Sequence, residues 1–169
     1  MRWFFLVGFM GTGKTTLGKA VAARLSLPFF DLDAVVEQDA GRNISEIFET
    51  EGEESFRKRE TKALLKTLEQ QAEGVVATGG GAFTIEENRR IMKEAGISVW
   101  LDVPMEELVT RVRGDGRPLW KNPPLSRALA EQRRDYYCLA NLHVELESQS
   151  IEQNITRLYQ LLAPHRSDS

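Results

Sequence analysis

The stretch "WFFLVGFMGTGKTT", Trp3 to Thr16, constrains this chain more than any other. An apolar run ends at Gly8, and Gly8, Gly13, Lys14 and Thr15 satisfy the pattern G-x-x-x-x-G-K-[ST]. The run shows no polar alternation, so it reads as a strand covered on both faces. Behind the loop, Leu17, Val21 and Leu25 recur at helical spacing. Strand, glycine loop and helix in that order form the setting in which this pattern holds phosphate. Glycines let the backbone close on phosphate oxygens, while the loop N–H groups and the helix N-terminus favour anions. Gly11, Thr12, Gly13, Lys14, Thr15 and Thr16 are therefore expected to hold a nucleoside triphosphate. Lys14 would place its charge on the outer phosphates, and the Thr15 hydroxyl would ligate Mg²⁺. The loop identifies what is donated and leaves the acceptor open.

The rest of the chain alternates in the same way. Strands are expected at Trp3–Gly8, Leu27–Asp33, Gly74–Gly81, Ile97–Val103 and Leu142–Leu146. Helices are expected at Lys14–Leu25, Ala34–Asp39, Ser45–Thr50, Glu53–Gln71 and Thr84–Ala95, the last opened by a Thr84-x-x-Glu87 capping box. Further helices should run from Pro104 to about Arg113, over Leu125–Ala140 and over Ile151–Leu162. Between them, "GDGRPLWKNPP" (Gly114–Pro124) has glycines, prolines and no apolar period, the composition of a mobile lid. Ala163–Ser169 reads as a frayed tail. Strands separated by helices imply an α/β fold of three layers, α/β/α, around a five-stranded parallel sheet. Ligands in such sheets sit beyond the carboxyl ends of the strands.

Composition narrows the class. A chain of 169 residues fits a single domain, residues 1–169, able to bury roughly 70% of its unfolded surface. Net charge is −3 and neither half is strongly basic, so a nucleic-acid partner is not expected. No apolar run approaches the ~20 residues of a membrane span, and no membrane partner is expected. The apolar start is interrupted by Lys14 and Lys19, which argues against a signal peptide. The lone Cys138 permits no intrachain disulfide and reads as a small buried hydrophobe. A cytoplasmic monomer is the expectation.

Three groups of residues compete to define the acceptor. "DLD" puts Asp31 and Asp33 at a strand end, where residues two apart share a face. One could support Mg²⁺, directly or through water, and the other could orient or deprotonate a hydroxyl; equally, Asp33 could be the cap of the next helix. Asp102, also at a strand end, competes for the magnesium role, and Asp31 is preferred because Asp33 gives the pair a joint task. "GGGAF" (Gly79–Phe83) is either a tight turn or a close approach of backbone to ligand, and its place at the carboxyl edge favours the second. Of the arginines Arg57, Arg117, Arg133 and Arg134, only Arg117 stands in a lid-like loop, from which it could reach a transferring phosphoryl group and help exclude water.

In their order, "GFMGTGKTT", "FFDLDAVVE", "GRNISEIFETEGEESFRKRE", "GGGAF", "RPL" and a late arginine followed by tyrosine resemble the shikimate kinase family, over about Trp3 to Ile155. The resemblance implies a P-loop kinase fold of nucleoside monophosphate kinase type, ATP with Mg²⁺, and transfer of the γ-phosphate to the 3-hydroxyl of shikimate. Carried onto this chain, it implies Lys14 on the β- and γ-phosphates, Thr15 on magnesium and Asp31 behind the metal. Asp33 would bind the acceptor hydroxyls and be the base candidate; Arg57, Arg133 and Gly80 would bind the carboxylate and ring hydroxyls. Phe48, Phe56, Gly79 and Gly81 would shape that pocket, Glu60 would hold Arg57, Arg117 would be the lid arginine, and Arg111 would lie against adenine. A shikimate-binding segment of about 32–60 and a lid of about 112–125 follow. Asp135 stands where the family often has proline, and Arg133 is preferred to Arg134 because it lies four residues before Tyr137. A gluconate or nucleotide kinase, or a non-catalytic relative, are the alternative readings; the "FR..E" and "GGG" pair argues against the first, and the presence of Lys14, Asp33 and Arg57 against the second.

Overall fold

Every residue of the strand β1 (Trp3–Val7) is buried, as an apolar run without alternation requires. Four more strands follow, β2 (Phe29–Asp31), β3 (Gly74–Ala77), β4 (Gly96–Asp102) and β5 (Leu142–Glu145). The computed structural model describes residues 3–111, 123–146 and 150–166. In it the strands form one sheet of order β2-β3-β1-β4-β5, with every neighbouring pair parallel. The first strand in sequence is thus the middle strand in space. The chain leaves it for the edge strand β2 and only later fills the other side with β4 and β5.

Among the described residues, six helices lie between the strands, α1 (Lys14–Leu25), α2 (Leu32–Ala40), α3 (Ile44–Gln70), α4 (Glu86–Ala95), α5 (Met105–Arg111) and α6 (Pro123–Tyr137), and α7 (Ile151–Leu162) follows the last strand. Helix α1 packs with α7, and α4 with α3. Leu17 and Val21 of α1, Leu64 of α3, Met92 of α4 and Leu158 of α7 are buried with Phe4, Phe5 and Leu6 of β1 in one core. Each such side chain contributes about 1.5–3 kcal/mol by leaving water. No helix among the described residues is long and apolar enough to cross a membrane.

The expected elements are present, with boundaries that shift for identifiable reasons. Strand β2 stops at Asp31 rather than Asp33, because Asp31 takes the N-cap of α2 and its carboxylate accepts from the Asp33 N–H at 3.1 Å. Asp33 is therefore the second residue of a helix, neither a strand residue nor the cap. The helices expected at Ser45–Thr50 and Glu53–Gln71 are two segments of α3, broken at Gly52 (φ 80°, ψ 174°) and opened by reciprocal bonds between Asn43 and Glu46. Strand β3 ends before the glycines; Thr78 instead bonds Leu6 O through both its N–H and its hydroxyl.

The Thr84-x-x-Glu87 box does not form. Residues Ala82–Thr84 make a 3-10 turn, Thr84 donates its hydroxyl to Gly81 O at 2.7 Å, and Ile85 takes the N-cap of α4 without a side-chain bond. Helix α6 begins at Pro123 and ends at Tyr137, so Cys138 falls in the turn beyond it and is exposed, not buried as expected. The first residues of the expected tail, Ala163–His165, form a further 3-10 turn. Of the expected lid, 112–122 lies outside the described residues.

Candidate active site

At the carboxyl end of β1 the loop turns through Gly8, Gly11 and Gly13, all at positive φ (142°, 84° and 92°), which a side chain would strain. The Thr12 hydroxyl donates to Phe9 O at 2.9 Å. Lys14, nearly buried, extends its ammonium back along the loop, 2.8 Å from Gly8 O and 2.8 Å from Phe9 O. One residue on, the Thr15 hydroxyl donates to Asp31 Oδ2 at 2.7 Å. A hydroxyl and a carboxylate so close are two hard oxygen donors, suited to a small divalent cation that keeps much of its water. Among the described residues there is no cluster of three or more His, Cys, Asp or Glu that could hold a metal alone.

The residues expected on the acceptor side gather around Gly79, Gly80 and Gly81, and each glycine faces a different charged group. A Cβ on Gly79 would collide with Glu60 Oε1 and come within 3.0 Å of Asp33 Oδ1. One on Gly80 would stand 3.5 Å from Arg133 Nη1 and 3.5 Å from Met10 N of the phosphate loop. One on Gly81 would overlap the Arg57 guanidinium. At Gly79 and Gly81 the run lacks side chains because charged side chains occupy the space. It also brings Arg133 and the phosphate loop to a common point.

Helix α3 supplies two of these charges one turn apart. Arg57 donates to Glu60 Oε2 at 2.9 Å and to Glu53 at 3.1 Å, with its guanidinium over the Phe56 ring. Glu60 is fully buried, and that burial pushes its carboxyl above the ordinary range, with the neighbouring Asp33 adding to the rise and Arg57 and Arg133 pulling against it. Its Oε1, the atom facing Gly79, has no hydrogen-bond partner among the described residues. Burial works against the Arg57 charge, but Glu60 and Glu53 more than offset it and hold the guanidinium above its usual value. The Phe48 and Phe56 rings meet at 4.5 Å, tilted by 35°, across the Gly52 break, with Phe48 partly exposed.

Helix α6 closes the site from the far side. Arg133 lies over the Phe9 ring at 5.8 Å. Tyr137 donates its hydroxyl to Gly80 O at 2.5 Å, and burial pushes its phenol up to about 12, so it stays a neutral donor. Arg134 turns away and forks onto Asp102 (3.0 and 2.9 Å). The competing carboxylate Asp102 is thus engaged by an arginine and by His143 at 3.1 Å, whereas Asp31 meets the phosphate loop.

The shikimate kinase family model matches residues 10–163. The chain belongs to the shikimate kinase family. It is 42% identical to the shikimate kinase of Symbiobacterium thermophilum over 93% of this chain and 94% of that one. It is 45% identical to that of Ruegeria pomeroyi, over 95% and 85% respectively. The shikimate kinase of Acinetobacter baumannii, solved in complex with shikimate, superposes with a TM-score of 0.89 at 35% identity, covering 99% of this chain and 96% of that one.

A shikimate kinase is an ATP-using phosphotransferase, and the nucleotide loop and sheet order suit that chemistry. Of the residues named from the sequence, the structure brings together the loop with Asp31, and Asp33, Arg57, Gly79, Gly80, Gly81 and Arg133 with one another. Arg117 and the Arg111 side chain lie outside the described residues. Two features had no sequence signal: the Tyr137 bond to Gly80 O, and the Asp102–Arg134 pair that sets the two adjacent arginines apart. Both depend on contacts between residues far apart in the chain, which local pattern does not encode.

Proposed function

We propose that this chain transfers the γ-phosphoryl group of ATP to the 3-hydroxyl of shikimate, giving shikimate 3-phosphate and ADP. The observation that carries the reading is the glycine run: two arginines and two carboxylates converge on it, and its middle residue abuts the phosphate loop. A small acid with several hydroxyls needs that combination. Arg57 and Arg133 bind its carboxylate, for which the planar guanidinium is suited. Asp33 accepts from the reacting hydroxyl, and Gly80 contributes its N–H. Phe48 and Phe56 wall the ring, and Glu60 keeps Arg57 aimed at it.

On the donor side, Gly11 to Thr16 hold the phosphates and Lys14 follows the β- and γ-groups. Thr15 would ligate Mg²⁺ with Asp31 behind it, and the hydroxyl and carboxylate found side by side fit that cation. Mg²⁺ held there would supply positive charge against the phosphates. The bond from phosphorus to the ADP oxygen breaks and ADP leaves. The new bond joins the acceptor oxygen to phosphorus, and its proton leaves by way of Asp33. The transition state is loose, so Asp33 need not be a strong base to take up that proton. Arg117, from the 112–125 segment, reaches the transferring group, and Arg111 lies against adenine.

The test is a phosphorylation assay with Mg-ATP across a panel of small hydroxy acids and AMP. ADP release with shikimate, and none with gluconate or AMP, is the expected result. Release with gluconate and not shikimate would sink the reading.

A further inference from the structure

Helix α6 carries Arg133 to the acceptor site on a narrow apolar footing. From Pro124 to Tyr137 only Ser126 and Tyr137 are buried, with Leu129 and Ala130 partly so. Its last turn is instead held by polar contacts: the Arg89 guanidinium lies over the Tyr136 ring at 5.3 Å, and two side chains of the turn make hydrogen-bonded ties. One is Tyr137 to Gly80 O. The other is Arg134, which grips both oxygens of Asp102 at the end of β4 and lies over the Trp100 ring at 4.6 Å. His143 of β5 stacks on Trp100 at 4.4 Å and reaches Asp102 Oδ2. Adjacent residues of a helix point about 100° apart, because 3.6 residues make a turn. Fixing Arg134 therefore fixes the direction in which Arg133 leaves the helix.

We propose that Asp102, by way of Arg134, is a positioning residue for the acceptor arginine Arg133. The inference rests on the reading of Arg133 given above. A two-pronged arginine–carboxylate bond sets orientation as well as distance, which a single-point contact does not. The Arg134 side chain is 56% exposed and that of Asp102 13%, and an ion pair whose cation stays open to water adds little to folding stability. The pair's effect is on where α6 sits, not on whether the chain folds.

Steady-state kinetics with shikimate varied at saturating ATP, beside thermal melts, test this. Asp102→Asn and Arg134→Ala should each raise the KM for shikimate about 10-fold, since small misplacements of a binding group are costly. The KM for ATP and the melting temperature should stay close to those of the parent. Arg134→Lys, which keeps the charge and loses the fork, should fall between. Arg133→Ala combined with Arg134→Ala should bind shikimate no worse than Arg133→Ala alone, because Arg134 acts only through its neighbour. Unchanged shikimate KM in Arg134→Ala, a multiplied loss in the double variant, or a loss confined to ATP would each overturn the proposal. If Arg133→Ala raises KM and Arg134→Ala does not, only the positioning role falls. If Arg133→Ala itself has no effect, the reading of Arg133 falls and the positioning role with it.

Discussion

The two halves of the proposed site are made by opposite means. The donor half is one unbroken stretch whose shape lies in the backbone, turned at Gly8, Gly11 and Gly13. The acceptor half is a meeting of side chains from α2, α3 and α6 on a glycine run that follows β3. In the first, glycine gives the chain a path; in the second, glycine gives other residues room. Substitutions should therefore separate the halves: backbone strain should injure nucleotide binding, and side-chain loss should injure the acceptor.

The largest effect should come from Asp33→Asn. The amide keeps the volume and the place in α2 but no longer takes up a proton, so kcat should fall by about 10²–10⁴-fold. Isothermal titration should find ATP affinity nearly unchanged. A collapse of ATP binding would mean that Asp33 belongs to the donor half and that the division is wrong.

Next in size are the glycines. Gly79→Ala and Gly81→Ala would drive a methyl into Glu60 and Arg57, so the KM for shikimate should rise about 10- to 100-fold with ATP affinity retained. Gly13→Ala meets no close side chain but must hold φ at 92°, a cost of about 1–2 kcal/mol, and should weaken ATP first. Crossed outcomes, with Gly81→Ala failing on ATP or Gly13→Ala failing on shikimate, would break the comparison.

The same difference explains what the sequence could disclose. Gly8 to Thr15 is legible because its spacing is its geometry, and the buried strand and amphipathic helix beside it follow from apolar period. The break at Gly52 was legible as a gap between two helical stretches. Asp33 was placed on the wrong element because "DLD" satisfies both a strand end and a helix start, and the choice falls to the Asp31 cap. Thr84 was misread for a related reason: the chain leaves the glycines in a tight turn, and a hydroxyl there bonds backward to Gly81 before it can cap anything. The separate destinations of Arg133 and Arg134 need Gly80 and Asp102 in position, and only the folded sheet brings those together.

The smallest effect compares two carboxylates of α3 on either side of Gly52. Glu60, buried against the glycine wall, has its pKa raised above the ordinary 4.5, chiefly by that burial. The folded protein therefore binds this proton more readily than the unfolded chain, a preference that favours folding below 4.5 and is lost as pH climbs through the raised value. Glu51 is half-buried, and bonds from Arg59, Ser55 and Arg42 lower its pKa to about 2. Its contribution is present above 4.5 and disappears as pH falls toward 2. Melting temperatures across acid pH should then diverge in opposite senses. The parent's advantage over Glu51→Gln should shrink on acidification, while its advantage over Glu60→Gln should shrink on moving upward from pH 4.5. Two parallel curves would show that the glycine wall does not impose on Glu60 the burial that separates it from Glu51 on the same helix.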